Sequence, residues 1–156
     1  MSGKRLATFI ASVGGIGRIP AMPGTWGSAA AACAAYGIQS AGGVPLLAVA
    51  ALIAFVVGLW ASEVCVRNAD EANKDPGWIV IDEVAGQWLV LLVVPTDLNL
   101  FALGFVLFRI ADIWKPWPAS WADRKLTGGA GVMVDDIFAA FWAAIALVVI
   151  RYAWFL

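Results

Sequence analysis

The sequence predicts an all-α fold: a polytopic membrane bundle of about five helices in a single domain over 1–156, with an acidic site at its cytoplasmic face. Three observations lead there. The 156 residues are 62% apolar and 13% charged, with a mean hydropathy of +0.85, whereas soluble domains sit near half apolar and a quarter charged. Apolar runs recur at 28–41, 45–66, 79–95, 98–114 and 132–156. In hydrocarbon every backbone group must find its partner within the segment, so such runs are helices. Finally, acids and bases gather at alternate ends of these runs.

Taken in order, Lys4 and Arg5 before Leu6–Val13 imitate the start of a secretory signal. Gly14, Gly15, Gly17 and Arg18 break that run before a small-x-small cleavage site. The segment is therefore expected to stay, as a short interfacial or partly inserted piece. Run 28–41 is built of Ala, Gly, Ser and Cys, which suits close helix packing more than lipid contact. Runs 45–66 and 132–156 reach the roughly 20 residues that a crossing needs. Runs 79–95 and 98–114 are shorter and charged near one end. Gly42-Gly43, Pro95, Pro116 and Pro118 supply the punctuation. Asp75 before Pro76 fits an N-cap followed by proline at the first helical position.

Several functions fall away on composition. The charge is −1, which argues against a nucleic-acid partner. With no His, Ser-His, Cys-His and His-ligated metal chemistry are absent. Cys33 and Cys65 lie in apolar stretches without zinc or CxxC spacing and read as small core residues.

Five alternating crossings put Lys4, Arg5, Arg18, Arg67, Lys74, Arg109, Lys115, Arg124 and Lys125 on one side and only Arg151 on the other. By the positive-inside rule that side is cytoplasmic. Every acid but Asp97 falls there too. Glu63, Asp70 and Glu71 read as solvated loop or helix-end charge. Asp82-Glu83, Asp112 and Asp135-Asp136 lie inside the third, fourth and fifth runs. An acid within a span costs about 2.5–3.5 kcal/mol on insertion scales, so a shared purpose is expected. Carboxylate oxygens suit a hard cation, and Mg²⁺ is held by a few carboxylates together with water and substrate phosphate. Asp82, Glu83, Asp112, Asp135 and Asp136 are the candidate metal ligands. Neighbouring acids diverge by about 100° on a helix, so one member of each pair is expected to turn aside. Two blander readings stay open. Arg109 and Asp112 are spaced to pair on one helix face, and Asp135-Asp136 suit a helix N-terminus.

Two glycine-bearing loops, 14–28 and 123–131, precede helices on the same face, and freed N–H groups there favour anions. Thr25, Ser28, Arg109, Lys115, Gly128 and Gly129 are the candidate substrate-binding residues, with Thr127, Arg18, Arg124 and Lys125 nearby. Asp82, Glu83, Asp112, Asp136, Arg109 and Lys115 are the candidate catalytic set. Trp114, Trp117 and Trp121 suit interfacial anchoring. The combination points to phosphate chemistry at a membrane surface, by metal-assisted displacement with water or a carboxylate nucleophile.

The loop of cysteine phosphatases, the DxDx[TV] nucleophile and the CDP-alcohol phosphotransferase pattern are all missing. Instead Pro-Gly-Thr-Trp-Gly-Ser (23–28), Asp-Pro-Gly-Trp-Ile-Val-Ile-Asp-Glu-Val-Ala-Gly (75–86), Phe-Arg-Ile-Ala-Asp-Ile-Trp-Lys-Pro-Trp-Pro (108–118) and Gly-Gly-Ala-Gly-Val-Met-Val-Asp-Asp-Ile (128–137) stand in order. Together these blocks resemble the phosphatidylglycerophosphatase A family. The resemblance implies a Mg²⁺-dependent phosphatase of the bacterial inner membrane that converts phosphatidylglycerophosphate to phosphatidylglycerol, with its site toward the cytoplasm and a membrane phospholipid as partner. Rival readings are a phosphatase of phosphatidic acid or a polyprenyl phosphate, an ion-coupled transporter, and a structural subunit. Acids crowded on one side fit an ion path poorly, because such a path distributes them through the membrane depth.

Overall fold

The computed structural model describes residues 3–69 and 76–154, so Asp70, Glu71, Lys74 and Asp75 lie outside the described residues. Among the described residues the chain is entirely helical, with no strand. Helix α1 (Gly3–Ala11) buries Ala7 and Ala11 and leaves Lys4, Arg5, Leu6 and Phe9 exposed. The N-terminal segment therefore packs as an amphipathic helix, and it does so on α2. A 3₁₀ turn, Val13–Arg18, follows. Its Gly17 meets the Trp78 carbonyl so closely that a Cβ would lie 1.9 Å from the oxygen.

Helix α2 (Pro23–Arg67) holds the first two apolar runs and is interrupted at Gly43, where φ is 68° and ψ −169°. Glycine adopts that left-handed φ without steric cost, and Pro45 follows. The interruption is a reversal. Gly27 packs on Val80 while Gly58 packs on Ile81, yet a straight helix would hold the two glycines about 46 Å apart. The expected break at Gly42-Gly43 is thus where α2 folds back on itself.

Helix α3 (Ile81–Leu91) is shorter than run 79–95. Pro95 cannot donate a backbone N–H and disfavours helix in the residue before it, and the Val94 carbonyl is taken by the Gln39 amide at 3.0 Å. Helix α4 (Leu98–Trp114) opens on Asp97, whose side chain accepts the Leu100 N–H, and ends at Lys115 in the left-handed region. The stretch 115–131 is more than a loop, since it contains helix α5 (Ala119–Lys125). Helix α6 (Gly128–Trp154) begins ahead of run 132–156.

Helix α3 is packed between α2 and α6, α4 lies on α6, and α5 covers the start of α6. Glycine sets how near α3 and α6 come: a Cβ on Gly86 would stand 2.7 Å from the Phe108 ring and 3.2 Å from the Asp136 carbonyl. The interior is rich in alanine (Ala31, Ala35, Ala61, Ala85, Ala139, Ala140), with Leu91, Phe108 and Leu147 filling one end. The outside is apolar instead. Leu52, Ile53 and Val56 on α2, Ile110 and Ile113 on α4, and Phe141 and Val149 on α6 are all exposed. Among the described residues two helices, α2 and α6, are long and apolar enough to cross a membrane.

Because the chain alternates direction, both ends of α2, the start of α3, the end of α4 and the start of α6 meet at one end of the molecule, as the ion pairs and hydrogen bonds among them record. The titratable side chains gather there.

Candidate active site

Asp82 and Glu83 occupy the first turn of α3, where the positive end of the helix dipole favours carboxylates. The Val80 N–H donates to the Ala11 carbonyl at 2.9 Å, which ties this helix start to α1. Asp136 comes from the third turn of α6. Oxygens of Asp82, Glu83 and Asp136 all lie within 4.8 Å of one another. The hundred-degree divergence separates the α6 pair as expected: Asp136 joins this triad, while Asp135 turns to Lys115 at 2.7 Å. It does not separate Asp82 from Glu83, because the longer Glu83 side chain reaches back to the same point.

Asp112 and Asp135 fall outside the triad, and each is held by a cation. Arg109 donates to Asp112 at 2.5 Å and lies 3.7 Å from Glu83. Lys115 bridges Asp135 and Asp123, and so clips α5 to α6. Partial burial pulls the Lys115 ammonium down, but its hydrogen bonds to Asp123 and Asp135 outweigh that and hold it above the ordinary lysine value.

Asp82 Oδ1, Glu83 Oε2, Asp135 Oδ1 and Asp136 Oδ2 are buried without a hydrogen-bond partner. A buried carboxylate with no partner is costly, and only two of the five acids, Asp112 and Asp135, have a full cationic partner in hydrogen-bond contact. The donor set is all oxygen. Cys65 is buried beneath α1 as a small core residue, whereas Cys33 is exposed and not part of the core, and neither belongs to the cluster. These residues fit a hard divalent cation held by Asp82, Glu83 and Asp136.

The acids line a cavity of about 660 Å³ together with Lys115, Arg124, Thr127 and Gly128. Not every expected substrate donor lines it. Ser28 is fully buried, gives its hydroxyl proton to the Gly24 carbonyl at 2.8 Å and accepts from Arg109 at 3.4 Å. It braces the guanidinium from behind. The Gly129 N–H is taken by Glu63 at 2.6 Å, and Thr25 lines a separate apolar hollow beside Arg109.

Sequence reasoning missed two features. Glu63, read as solvated charge, accepts the Gly129 N–H at the start of α6, a contact across 66 residues that no local pattern signals. Gly24 approaches Glu83 so closely that a Cβ would stand 2.1 Å from Oε1 and 3.2 Å from Arg109 Nη1. The glycine of Pro23-Gly24-Thr25 therefore makes room for the Glu83 carboxylate rather than for phosphate.

A model of the family described as Phosphatidylglycerophosphatase A matches residues 9–151. The chain belongs to the phosphatidylglycerophosphatase A family. Phosphatidylglycerophosphatase A of Escherichia coli is 39% identical over 142 residues, covering 90% of this chain and 80% of that protein. The Haemophilus influenzae protein of the same name is 36% identical over 140 residues, covering 88% and 84%. A Bacteroides thetaiotaomicron protein provisionally named phosphatidylinositol-3-phosphatase is 37% identical over 103 residues, covering 61% and 59%. No solved structure gives a significant match. Within this phosphatidylglycerophosphatase A family member, the acidic triad, Arg109 and Lys115 all lie inside the stretch that the family model covers.

Proposed function

We propose that this member of a phosphatase family removes the terminal phosphate of phosphatidylglycerophosphate to leave phosphatidylglycerol, with Mg²⁺ as cofactor. The observation that carries the reading is the triad Asp82, Glu83 and Asp136, with oxygens within 4.8 Å and partnerless atoms, lining a cavity that Lys115 and Arg124 also line. The chain is read as a multi-pass protein of the bacterial inner membrane, with the cavity toward the cytoplasm. The apolar exterior of α2, α4 and α6 supports that setting, since soluble monomers rarely expose contiguous apolar patches beyond a few hundred Å².

Asp82, Glu83 and Asp136 would hold the Mg²⁺. When bound, the ion supplies charge for the phosphate oxygens and lowers the pKa of water. Lys115, at the cavity wall, and Arg109, beside Glu83, face the remaining oxygens and stabilise the charge that moves to the leaving alkoxide. Both are preorganised, Arg109 by Asp112 and Ser28, Lys115 by Asp123 and Asp135. Asp135 keeps one oxygen partnerless and is the acid placed to take a proton from the attacking water. Thr127 and Gly128, at the start of α6, add a hydroxyl and a backbone amide to the cavity lining.

The provisional name of the Bacteroides relative favours a second reading in which other lipid phosphate monoesters are accepted. Phosphate release by the purified protein from phosphatidylglycerophosphate, phosphatidic acid, phosphatidylinositol 3-phosphate and a polyprenyl phosphate, with and without Mg²⁺, tests both. The expected result is Mg²⁺-dependent release, fastest from phosphatidylglycerophosphate. Ion flux in proteoliposomes with no phosphate release from any of them overturns the assignment.

A further inference from the structure

Outside the acidic cavity, a hollow of about 460 Å³ opens where α1 meets the 3₁₀ turn. Lys4, Arg5 and Arg18 line it, together with Phe9, Gly14 and Gly15. Among the described residues no acid lines it, and none of the three cations enters an ion pair. The hydroxyl protons of Thr8 and Ser12 go to the Lys4 and Phe9 carbonyls, so recognition falls to the cations. The acidic site makes no use of this group. Arg18 and its neighbouring glycines, which the sequence marks for an anion, do not line that cavity.

Lys4, Thr8 and Ser12 succeed one another at i, i+4 spacing, with Arg5 and Phe9 in the adjoining row. A continued helix would carry Arg18 about 20 Å past Arg5, yet both line the same hollow. The turn that brings Arg18 back runs through Val13, Gly14 and Gly15, at φ of 49°, 68° and 104°. Valine in the left-handed region is strained, and cations gathered without a counter-charge repel one another. An anion held between them relieves that repulsion. Its kind follows from what stands beside the charge. Leu6 and Phe9 are exposed at 41% and 57%, and Ile19 follows Arg18 at 37%. Basic residues mixed with exposed leucine and phenylalanine on one short helix suit a helix lying among lipid headgroups. A free phosphate gains nothing from those apolar groups. A phospholipid meets both, with its phosphate in the guanidinium forks and its chains against Leu6 and Phe9.

We propose that this hollow binds the phosphate of an anionic phospholipid and so holds α1 to the membrane surface. The Val80 N–H bond to the Ala11 carbonyl and the contact of Gly17 with the Trp78 carbonyl tie the segment to the start of α3, which places the bound lipid next to the helix that carries Asp82 and Glu83. This rests on the membrane placement above and not on the phosphatase activity.

The test is native mass spectrometry of the full chain in detergent, with dioleoyl phosphatidylserine as the probe, an anionic lipid without a phosphate monoester to cleave. Dioleoyl phosphatidylcholine is the zwitterionic comparison and inorganic phosphate the free-anion one. The parent is compared with the double variant Arg5→Gln, Arg18→Gln. Both positions are exposed, so the fold stands without them, and circular dichroism checks it. Lys125→Gln, exposed on α5 and outside the hollow, controls for loss of any one charge. The expected result is saturable binding of phosphatidylserine at least about tenfold tighter than of phosphatidylcholine. Each basic side chain near an anionic surface is worth roughly fivefold in affinity, so the double variant should bind about 25-fold more weakly, with Lys125→Gln near the parent. Hydrogen exchange in 3–18 should slow on binding in the parent and not in the double variant. Equal binding by parent and double variant, an equal loss in Lys125→Gln, or protection confined to other segments overturns the hollow. Displacement of the lipid by inorganic phosphate at matching concentration, or equal binding of phosphatidylcholine, overturns the anionic lipid as its occupant. No turnover is read, so failure of the phosphatase reading leaves the result standing. A parent that stays monodisperse without detergent overturns the membrane placement and the lipid together.

Discussion

Replacing Gly24 by alanine adds one methyl group in front of the Glu83 carboxylate. The new Cβ would stand 2.1 Å from Oε1, 3.1 Å from Cδ and 3.2 Å from Arg109 Nη1. To reach ordinary van der Waals contact the oxygen must retreat by roughly 1.3 Å. Glu83 is the free end of a flexible side chain, so the helices need not move. The cost is geometric: Glu83 leaves its position 3.7 Å from Arg109 and within 4.8 Å of Asp82 and Asp136. A misplacement of about 1 Å at a reacting centre can lower turnover about 10²-fold, or about 2.7 kcal/mol of barrier. The assay is phosphate release under saturating Mg²⁺, with circular dichroism and detergent gel filtration to show an intact fold. Gly37→Ala, where a Cβ meets nothing within 4 Å, serves as the neutral control. A double-mutant cycle with Glu83→Asp should show the two defects to be less than additive, because the shorter acid relieves the clash. Turnover of Gly24→Ala within about twofold of the parent would refute the idea that this glycine makes room for the acid.

Three further outcomes follow from the same contacts. Lys115→Met leaves Asp123 and Asp135 without their shared ammonium; turnover should fall about 10²–10³-fold, and hydrogen exchange in α5 (Ala119–Lys125) should speed up. Glu63→Gln weakens the acceptor for the Gly129 N–H, so denaturant unfolding in detergent should show a loss of about 1 kcal/mol, the scale of a helix cap, with Mg²⁺ dependence unchanged. Trp88→Phe removes the indole donor to the Ala31 carbonyl, 2.8 Å away; it should cost about 1 kcal/mol of stability and leave phosphate release near the parent rate.

Much of the architecture was legible because apolar helices announce themselves by composition and are interrupted or ended at glycine or proline. Run 98–114 coincides with α4, and the Gly-Gly between the first two runs marks the reversal at Gly43. The carboxylates were legible as well, since five acids inside apolar runs are too costly to be incidental. Division of labour among them was not. Only the Arg109–Asp112 pair follows from spacing, at i and i+3 on one helix face; that Asp135 answers to Lys115, 20 residues away, depends on how the end of α4 meets α6, which no spacing rule encodes. The glycine loops misled for a related reason. Gly17 and Gly24 look like anion-binding backbone, but their lack of a side chain serves close contact with Trp78 and Glu83. Ser28 and Gly129 are polar groups satisfied within the protein. Helix α5 is short and carries no apolar periodicity of its own, so within 115–131 only its packing on α6 reveals it.

The account rests on Asp82, Glu83 and Asp136 sharing one divalent cation. An electron paramagnetic resonance titration with Mn²⁺ as the probe ion measures that directly in the purified, folded protein. The account predicts saturable Mn²⁺ binding that Mg²⁺ displaces, weakened at least about tenfold in each of Asp82→Asn, Glu83→Gln and Asp136→Asn. Equal binding in the parent and all three variants, or none in the parent, would contradict it.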